Sequence, residues 1–189
     1  MLKFSLTYDL VRKTKMVDLA RILREAKRVR LKDVRIYDIL GEIQHGNGNG
    51  QGLYLLFGPK GELYYVGKCV GSSFIEKIPE QFKFQDSSRQ TTLLYSIQKK
   101  DGFGKPQNRD EYIKGALRIM ENFDLLLIHF GPEDSTEVAP VESLMRRTLQ
   151  PLLNEIYGRT DVRGSTVQEW VKAFRVRAAK LSASTGRSR

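Results

Sequence analysis

A predicted β-hairpin at residues 52–68 limits the folds open to this chain more than any other feature. Two apolar runs rich in Leu, Phe, Tyr and Val flank a Gly-Pro-Lys-Gly turn at 58–61. Proline presets the backbone of a turn position, and glycine adopts the positive φ that such turns need, whereas the flanking residue types suit strands. The two runs are therefore expected to pair as antiparallel strands.

Apolar patterns elsewhere predict one more strand and several helices. Residues 123–130 form a nearly continuous apolar run, which is typical of a central buried strand. The segment 34–43 fits a strand or a helix, and the helix is favoured. Helical spacing of apolar residues predicts further helices at 17–29, 72–82, 88–100, 110–120, 141–149 and 166–181.

The composition is that of one globular domain with appendages, because 189 residues with 40% hydrophobic and 29% charged side chains can bury a core. No apolar run has the length of a membrane span, and residues 1–10 lack the apolar core of a secretory signal. Cys69 is the only cysteine, which excludes an internal disulfide and a cysteine-based metal site. A reducing, cytoplasmic compartment is expected.

The net charge of +10 is concentrated in the two ends of the chain. Residues 1–40 hold 11 Lys or Arg against 5 Asp or Glu, and residues 159–189 hold 8 against 2, so each segment has a net charge of +6. Residues 41–158 hold 13 against 15, a net charge of −2. The basic ends would attract a polyanion in a salt-sensitive way; the alternative is that they are solvated basic helices without a partner.

Two motifs far apart in the sequence together resemble those of the GIY-YIG nuclease family. A Gly-Leu-Tyr triplet at 52–54 opens the first strand of the hairpin, and a Tyr-Val-Gly triplet at 65–67 ends the second, with ten residues between them. Downstream, Glu142 and a Pro-Leu-Leu-Asn sequence at 151–154 have the separation of the family's metal-binding glutamate and closing corner. The resemblance covers roughly residues 50–157.

This resemblance implies an α+β fold with a small three-stranded antiparallel sheet flanked by helices, and metal-dependent cleavage of DNA phosphodiesters. We expect a basic helical N-terminal extension (1–45), a nuclease core (50–157), and a basic C-terminal helix and tail (158–189). The expected partner is double-stranded DNA. Cutting both strands of a palindromic site would need a homodimer, for which Trp170 and Phe174 offer a face.

The resemblance also assigns roles within the expected site. Glu142 would be the ligand of Mg²⁺ or Mn²⁺, whose other positions phosphate and water would fill. Tyr54 would be the general base or the phenol that positions water, Tyr65 a second phenol, and Lys68 a cation that favours the phenolate and touches the phosphate. Without the family, Glu142 is a surface acid in the first turn of a helix, and each tyrosine is a strand aromatic packed on the sheet.

The family's arginine, carried on the helix after the second triplet, has no direct counterpart. The nearest local match puts Lys77 in its place and Gln81 one turn later, and lysine lacks the two-pronged geometry of a guanidinium. Arg89 is the alternative that we favour, because a longer insertion would let the next helix deliver it.

Further residues are expected to bind DNA or to support the site. Asn154 would anchor the corner after the Glu142 helix and hold Glu142 or its neighbours, and Gly52 and Gly67 would support the site from the hairpin. The leading function is a metal-dependent DNA endonuclease of restriction or mobile-element type, and the alternative is a nucleic-acid-binding protein on the same fold without catalysis. The residues expected to grip the DNA backbone are Arg21, Arg24, Lys27, Arg28, Lys172 and Arg175.

Overall fold

A computed structural model describes residues 4–44, 50–83, 93–104, 106–154 and 164–185, with side chains except those of 41–44 and 180–185. Two short 3-10 helices, Leu31–Asp33 and Pro132–Glu137, connect longer elements. The strands of this part of the chain are β1 (Ser5–Thr7), β2 (Val29–Arg30), β3 (Gly52–Phe57), β4 (Leu63–Cys69) and β5 (Asp124–His129). Its α-helices are α1 (Tyr8–Arg12), α2 (Met16–Glu25), α3 (Ile36–Gln44), α4 (Phe74–Glu80), α5 (Leu93–Lys100), α6 (Arg109–Asn122), α7 (Val138–Leu149) and α8 (Val167–Thr185).

The sheet is mixed, with the order β1-β5-β3-β4 and with β2 also paired to β5. The central strand β3 is antiparallel to both β4 and β5, β2 is antiparallel to β5, and β1 runs parallel to β5. The α+β class is confirmed, but the prediction of a three-stranded antiparallel sheet is wrong. The N-terminal part, expected to be a helical extension, supplies two strands that are too short to show a period of two in the sequence.

The predicted hairpin is confirmed as β3 and β4, joined by the expected turn. The Gly58 N–H donates to the Glu62 carbonyl at 2.8 Å, and the Gly61 N–H donates to the Gly58 carbonyl at 2.9 Å. Gly61 has a φ of +79°, which a residue with a Cβ adopts only with strain. Pairing to β4 shifts register between Leu56 and Phe57. The predicted buried strand is likewise confirmed as β5.

Helices cover both faces of the sheet. Because β3 and β5 are apolar on both faces, each face needs a covering layer. Helices α1, α2, α7 and α8 pack on the face that carries Leu53, Leu55, Leu126 and Ile128. Helices α3 to α6 pack on the face that carries Tyr54, Leu56, Leu125 and Leu127. The two layers leave β4 at one edge of the sheet.

The predicted helices are present, with some changes of boundary. Helix α2 ends at Glu25, earlier than predicted, because the chain turns there toward β2. The segment 34–43 is helical, as favoured, and forms most of α3. Helix α5 accounts for the end of the predicted helix 88–100, whose first residues lie outside the described part. Among the helices described, none has the length and apolarity that crossing a membrane requires.

Candidate active site

The two motifs meet along β4. After α7, Gln150 takes a left-handed conformation with a φ of 49°, and the chain turns back along the outer edge of β4. The Leu152 N–H donates to the Leu63 carbonyl at 3.1 Å, and the Leu153 N–H donates to the Tyr64 carbonyl at 2.9 Å. The hairpin and the corner, far apart in the sequence, are therefore joined by backbone hydrogen bonds.

Asn154 completes this edge with its side chain. Its Oδ1 accepts a hydrogen bond from the Val66 N–H at 2.7 Å, and its Nδ2 donates to the Val66 carbonyl at 3.0 Å. The amide thus takes the place that a peptide group of a neighbouring strand would occupy. These two bonds anchor the corner to β4 itself, one residue before Gly67, rather than to Glu142.

Glu142 lies between two cations on the face of the sheet that α7 covers, opposite the face that carries Tyr54. The residue is only 7% exposed. Its Oε2 is 3.1 Å from Lys68 Nζ, and its Oε1 is 3.3 Å from Arg146 Nη1. Lys68 comes from β4 and Arg146 from the next turn of α7, so the carboxylate bridges the helix and the edge strand. Both oxygens of this nearly buried carboxylate are therefore ion-paired, whereas the Lys68 side chain that meets it is 44% exposed.

Tyr54 and Tyr65 form a pair of phenols from neighbouring strands. Their ring centroids are 5.9 Å apart, and Tyr54 is 1% exposed, whereas Tyr65 is partly exposed. Burial raises the pKa of both, and the negative charge of Glu142 raises both further. A hydrogen bond from the Tyr54 hydroxyl lowers the pKa of Tyr65, as do the charges of Arg146 and Lys77, but burial outweighs them. Tyr65 is therefore the phenol of this pair that is partly open to solvent, and Tyr54 lies beneath it in the core.

Gly52 and Gly67 are required by close approaches around these phenols. A Cβ at Gly67 would overlap the ring of Tyr54, which lies across that residue from β3. A Cβ at Gly52 would overlap the carbonyl of Ile128 on β5. Both glycines thus serve packing within the sheet, in keeping with the supporting role predicted for them.

The cations near Glu142 and the two phenols include an arginine that was not predicted. Lys77 lies on α4 and its Nζ is 2.9 Å from Glu80, yet its charge still lowers the pKa of Tyr65. Arg89 lies outside the described residues, so its role stays a prediction. Arg146, which sequence reasoning missed, brings a guanidinium to Glu142 and lowers the pKa of Tyr65. Its spacing of four residues from Glu142 on a helix is the signal that could have revealed it.

Three of the six cations predicted to bind DNA are held by other groups. Arg21 pairs with two acids of its own helix, Asp18 at 3.0 Å and Glu25 at 3.4 Å. Arg28 lies 3.7 Å over the ring of Phe57, and burial lowers its pKa. Arg175 pairs with the carboxylate of Glu137 at 3.5 Å and donates a hydrogen bond to the hydroxyl of Thr136 at 2.7 Å. The contacts of these three side chains therefore help to hold helices in place.

The other three are open to solvent. Arg24 is exposed on α2, Lys27 is exposed just after the end of that helix, and Lys172 is exposed on α8. Both helices pack on the same face of the sheet as α7. Trp170 and Phe174, considered as a dimer face, stack on each other at 5.1 Å, and Trp170 also packs against the core.

The fit of a metal ion at Glu142 depends on the donor atoms around it. Within the described ranges, no group of three or more His, Cys, Asp or Glu residues could hold an ion. A carboxylate offers about four lone-pair positions, and Lys68 and Arg146 use two of them. One carboxylate, with phosphate and water in the remaining positions, is a binding mode that Mg²⁺ accepts. The residues present therefore fit a weakly held ion.

No family model matches the chain, and neither a curated protein nor a solved structure is significantly similar to it. The likeness to the GIY-YIG nucleases accordingly rests on the residues of the two motifs, which lie side by side along β4.

Proposed function

We propose that this chain is a divalent-metal-dependent DNA endonuclease with a GIY-YIG-like site, acting in a restriction-like or mobile-element setting. The observation that carries the proposal is the convergence of both motifs on β4, where nearly buried Glu142 lies between Lys68 and Arg146 and its charge reaches both phenols. Ionisable groups with shifted pKa values that cluster around a buried carboxylate are typical of reactive sites.

Glu142, Lys68 and Arg146 would handle the phosphate. Glu142 would hold Mg²⁺ or Mn²⁺ by a lone pair that the two cations leave open, and the ion would supply positive charge to the phosphate and to the departing oxygen. The ion would balance part of the negative charge of Glu142. Lys68 and Arg146 would then be held less strongly by Glu142 and could contact phosphate oxygens. Arg146 offers the forked donor geometry that suits a phosphate, and Lys68 acts as a point charge.

Tyr65, as the phenolate that remains after its own proton has passed to solvent, would accept the proton of the attacking water. Its oxygen already accepts a hydrogen bond from Tyr54, which favours the phenolate. The negative charge of Glu142 opposes that phenolate in the free protein, so neutralising Glu142 makes Tyr65 a stronger candidate for general base. The site would therefore become reactive only when phosphate and cation are both present.

Plasmid cleavage by wild type and by Glu142→Gln tests this proposal. We expect wild type to nick or linearise plasmid with Mg²⁺ or Mn²⁺, EDTA to stop it, and Glu142→Gln to cut at least roughly 100-fold more slowly, the scale on which an electrostatic group in a reactive site acts. The matched control is Glu121→Gln, since Glu121 is exposed on α6, and it should cut like wild type. Cutting that survives Glu142→Gln would refute the assigned mechanism.

A nucleic-acid-binding protein without catalysis is the second candidate. Both oxygens of Glu142 are already ion-paired, and the pKa values of both phenols are raised, which is also the arrangement of a purely structural ion pair. This candidate predicts salt-dependent DNA binding, no cleavage of plasmids of varied sequence, and the same affinity for wild type and Glu142→Gln.

A further inference from the structure

A cavity of about 340 Å³ opens between α5, α6 and the loop that joins them. These helices cover the face of the sheet opposite α7, and the cavity contains none of the residues assigned to the active site. Its volume is at the small end of the range of ligand sites, about 300 to 1,000 Å³. Its lining includes Gln98, Phe103, Glu111, Lys114, Gly115 and Arg118.

The inner wall of the cavity carries an acceptor without a partner. Gln98 is only 5% exposed, and among the residues that the structure describes nothing donates a hydrogen bond to its Oε1. A Cβ at Gly115 would overlap the Gln98 Nε2, so the glycine is what lets the amide lie against α6. Leaving a buried acceptor unsatisfied is unfavourable; this oxygen is closed to solvent, so a ligand with an N–H group would relieve it once the amide rotates toward the cavity.

The aromatic ring of Phe103 lies at the mouth of the cavity, and a guanidinium group stacks on one of its faces. Phe103 is 50% exposed, and the guanidinium of Arg118 lies 3.4 Å from the centroid of its ring. Arg118 is itself fixed by Asp101 at 3.3 Å, whose other oxygen accepts a hydrogen bond from Tyr64 at 2.8 Å. An exposed aromatic ring backed in this way is a platform on which another planar ring can stack.

We propose that this cavity binds a nucleobase, which stacks on Phe103 and donates an N–H to Gln98 Oε1 while Lys114 contacts the adjoining phosphate. Lys114 is exposed on α6 and lines the same cavity. The base belongs either to a nucleic-acid strand or to a free mononucleotide, since both present the same ring, N–H group and phosphate. The site does not depend on cleavage at Glu142.

Binding measured in EDTA tests the proposal on the full chain without cleavage. The probes are a fluorescein-labelled single-stranded oligoadenylate, an abasic oligonucleotide of the same length, and AMP as a competitor. We expect the oligoadenylate to bind about tenfold more tightly than the abasic strand, because stacking on one ring is the main difference between them. Displacement by AMP identifies a mononucleotide site, and its failure to displace identifies a strand site.

Two substitutions assign the binding to the cavity. Gln98→Leu removes the acceptor, and Phe103→Ala removes an exposed ring, so the second variant keeps the test valid if the first does not fold. We expect Phe103→Ala to lower the affinity for oligoadenylate about tenfold and to leave abasic binding unchanged. Tyr37→Ala, which removes an aromatic side chain that is 79% exposed on α3, is the matched control and should bind like wild type. Equal binding of both oligonucleotides, or full affinity in Phe103→Ala, would overturn the inference.

Discussion

Asn154 shows how much of the edge of the sheet depends on one side chain. Its amide is bonded to both the N–H and the carbonyl of Val66. We expect Asn154→Ala to lower the free energy of unfolding by about 1–3 kcal/mol, because two backbone groups of β4 lose their partners in a partly buried place. Urea denaturation followed by circular dichroism measures the change.

Asn122→Ala is the matched control for this substitution. The Asn122 amide donates one hydrogen bond, to the Arg118 carbonyl at 2.7 Å, at an exposed helix end. Its loss should cost less than about 0.5 kcal/mol. Equal destabilisation by the two substitutions would mean that the Asn154 amide does not act as a strand partner.

Individual residues of the site were predictable to the extent that spacing along the chain defined them. Glu142 and Asn154 were singled out because they match the family's motif at its usual separation, and the structure brings both to β4. Arg146 was missed because the resemblance directed attention to the helix after the hairpin. Arg28 was assigned to DNA from a basic helical face, whereas it lies over Phe57, and charge periodicity alone does not distinguish a solvated cation from one packed on a ring.

Two helices begin with the same acid-dependent cap. The carboxylate of Glu76 accepts hydrogen bonds from the N–H and hydroxyl of Ser73 before α4, and that of Glu169 accepts one from the N–H of Thr166 before α8. The bond from the backbone N–H is the main cause that lowers the pKa of each carboxyl from its ordinary value of 4.5. The stabilisation is therefore complete above that value and is lost as pH falls through the lower folded-state pKa.

We accordingly predict that the double substitution Glu76→Gln/Glu169→Gln makes the free energy of unfolding depend less on pH in the acid range. Glutamine can fill the same place in the cap but does not titrate. Between about pH 5 and about pH 3, the urea midpoint of wild type should fall more than that of the double variant. The control Glu121→Gln should fall like wild type, and a parallel decline of all three proteins would contradict the assignment of these caps.

Elements with strong local signals were predicted, and elements defined only by their neighbours were not. The hairpin has turn chemistry and two apolar runs, and β5 has a continuous apolar run, so both were found in the sequence. Strands β1 and β2 have three and two residues, and they exist because β5 offers an open edge for them to pair with. Their existence is a tertiary effect that no window of the sequence records.

For the whole molecule, the uneven charge predicts how DNA binding responds to salt. Lys27 is exposed just after α2 and Lys172 is exposed on α8, and both helices pack on one face of the sheet. If both contact phosphates, Lys27→Gln and Lys172→Gln should each lower the slope of log affinity against log salt concentration by about 1. Fluorescence anisotropy with a labelled duplex over a range of NaCl concentrations measures the slope.

Lys99→Gln provides the control for these two substitutions, because Lys99 is also exposed but lies on α5, on the other face. Its slope should equal that of wild type. Equal effects of all three substitutions would indicate that DNA senses the total charge of the protein rather than one face of it.

The closed edge of β4 also governs how molecules of this protein can meet. Open strand edges recruit strands from other molecules and so seed fibres. At Leu63, Tyr64 and Val66 the outward backbone groups are already bonded to the chain's own corner. A second molecule would have to peel that corner away before it could extend the sheet there, so concentrated protein is protected from cross-β growth on the side where the candidate chemistry lies.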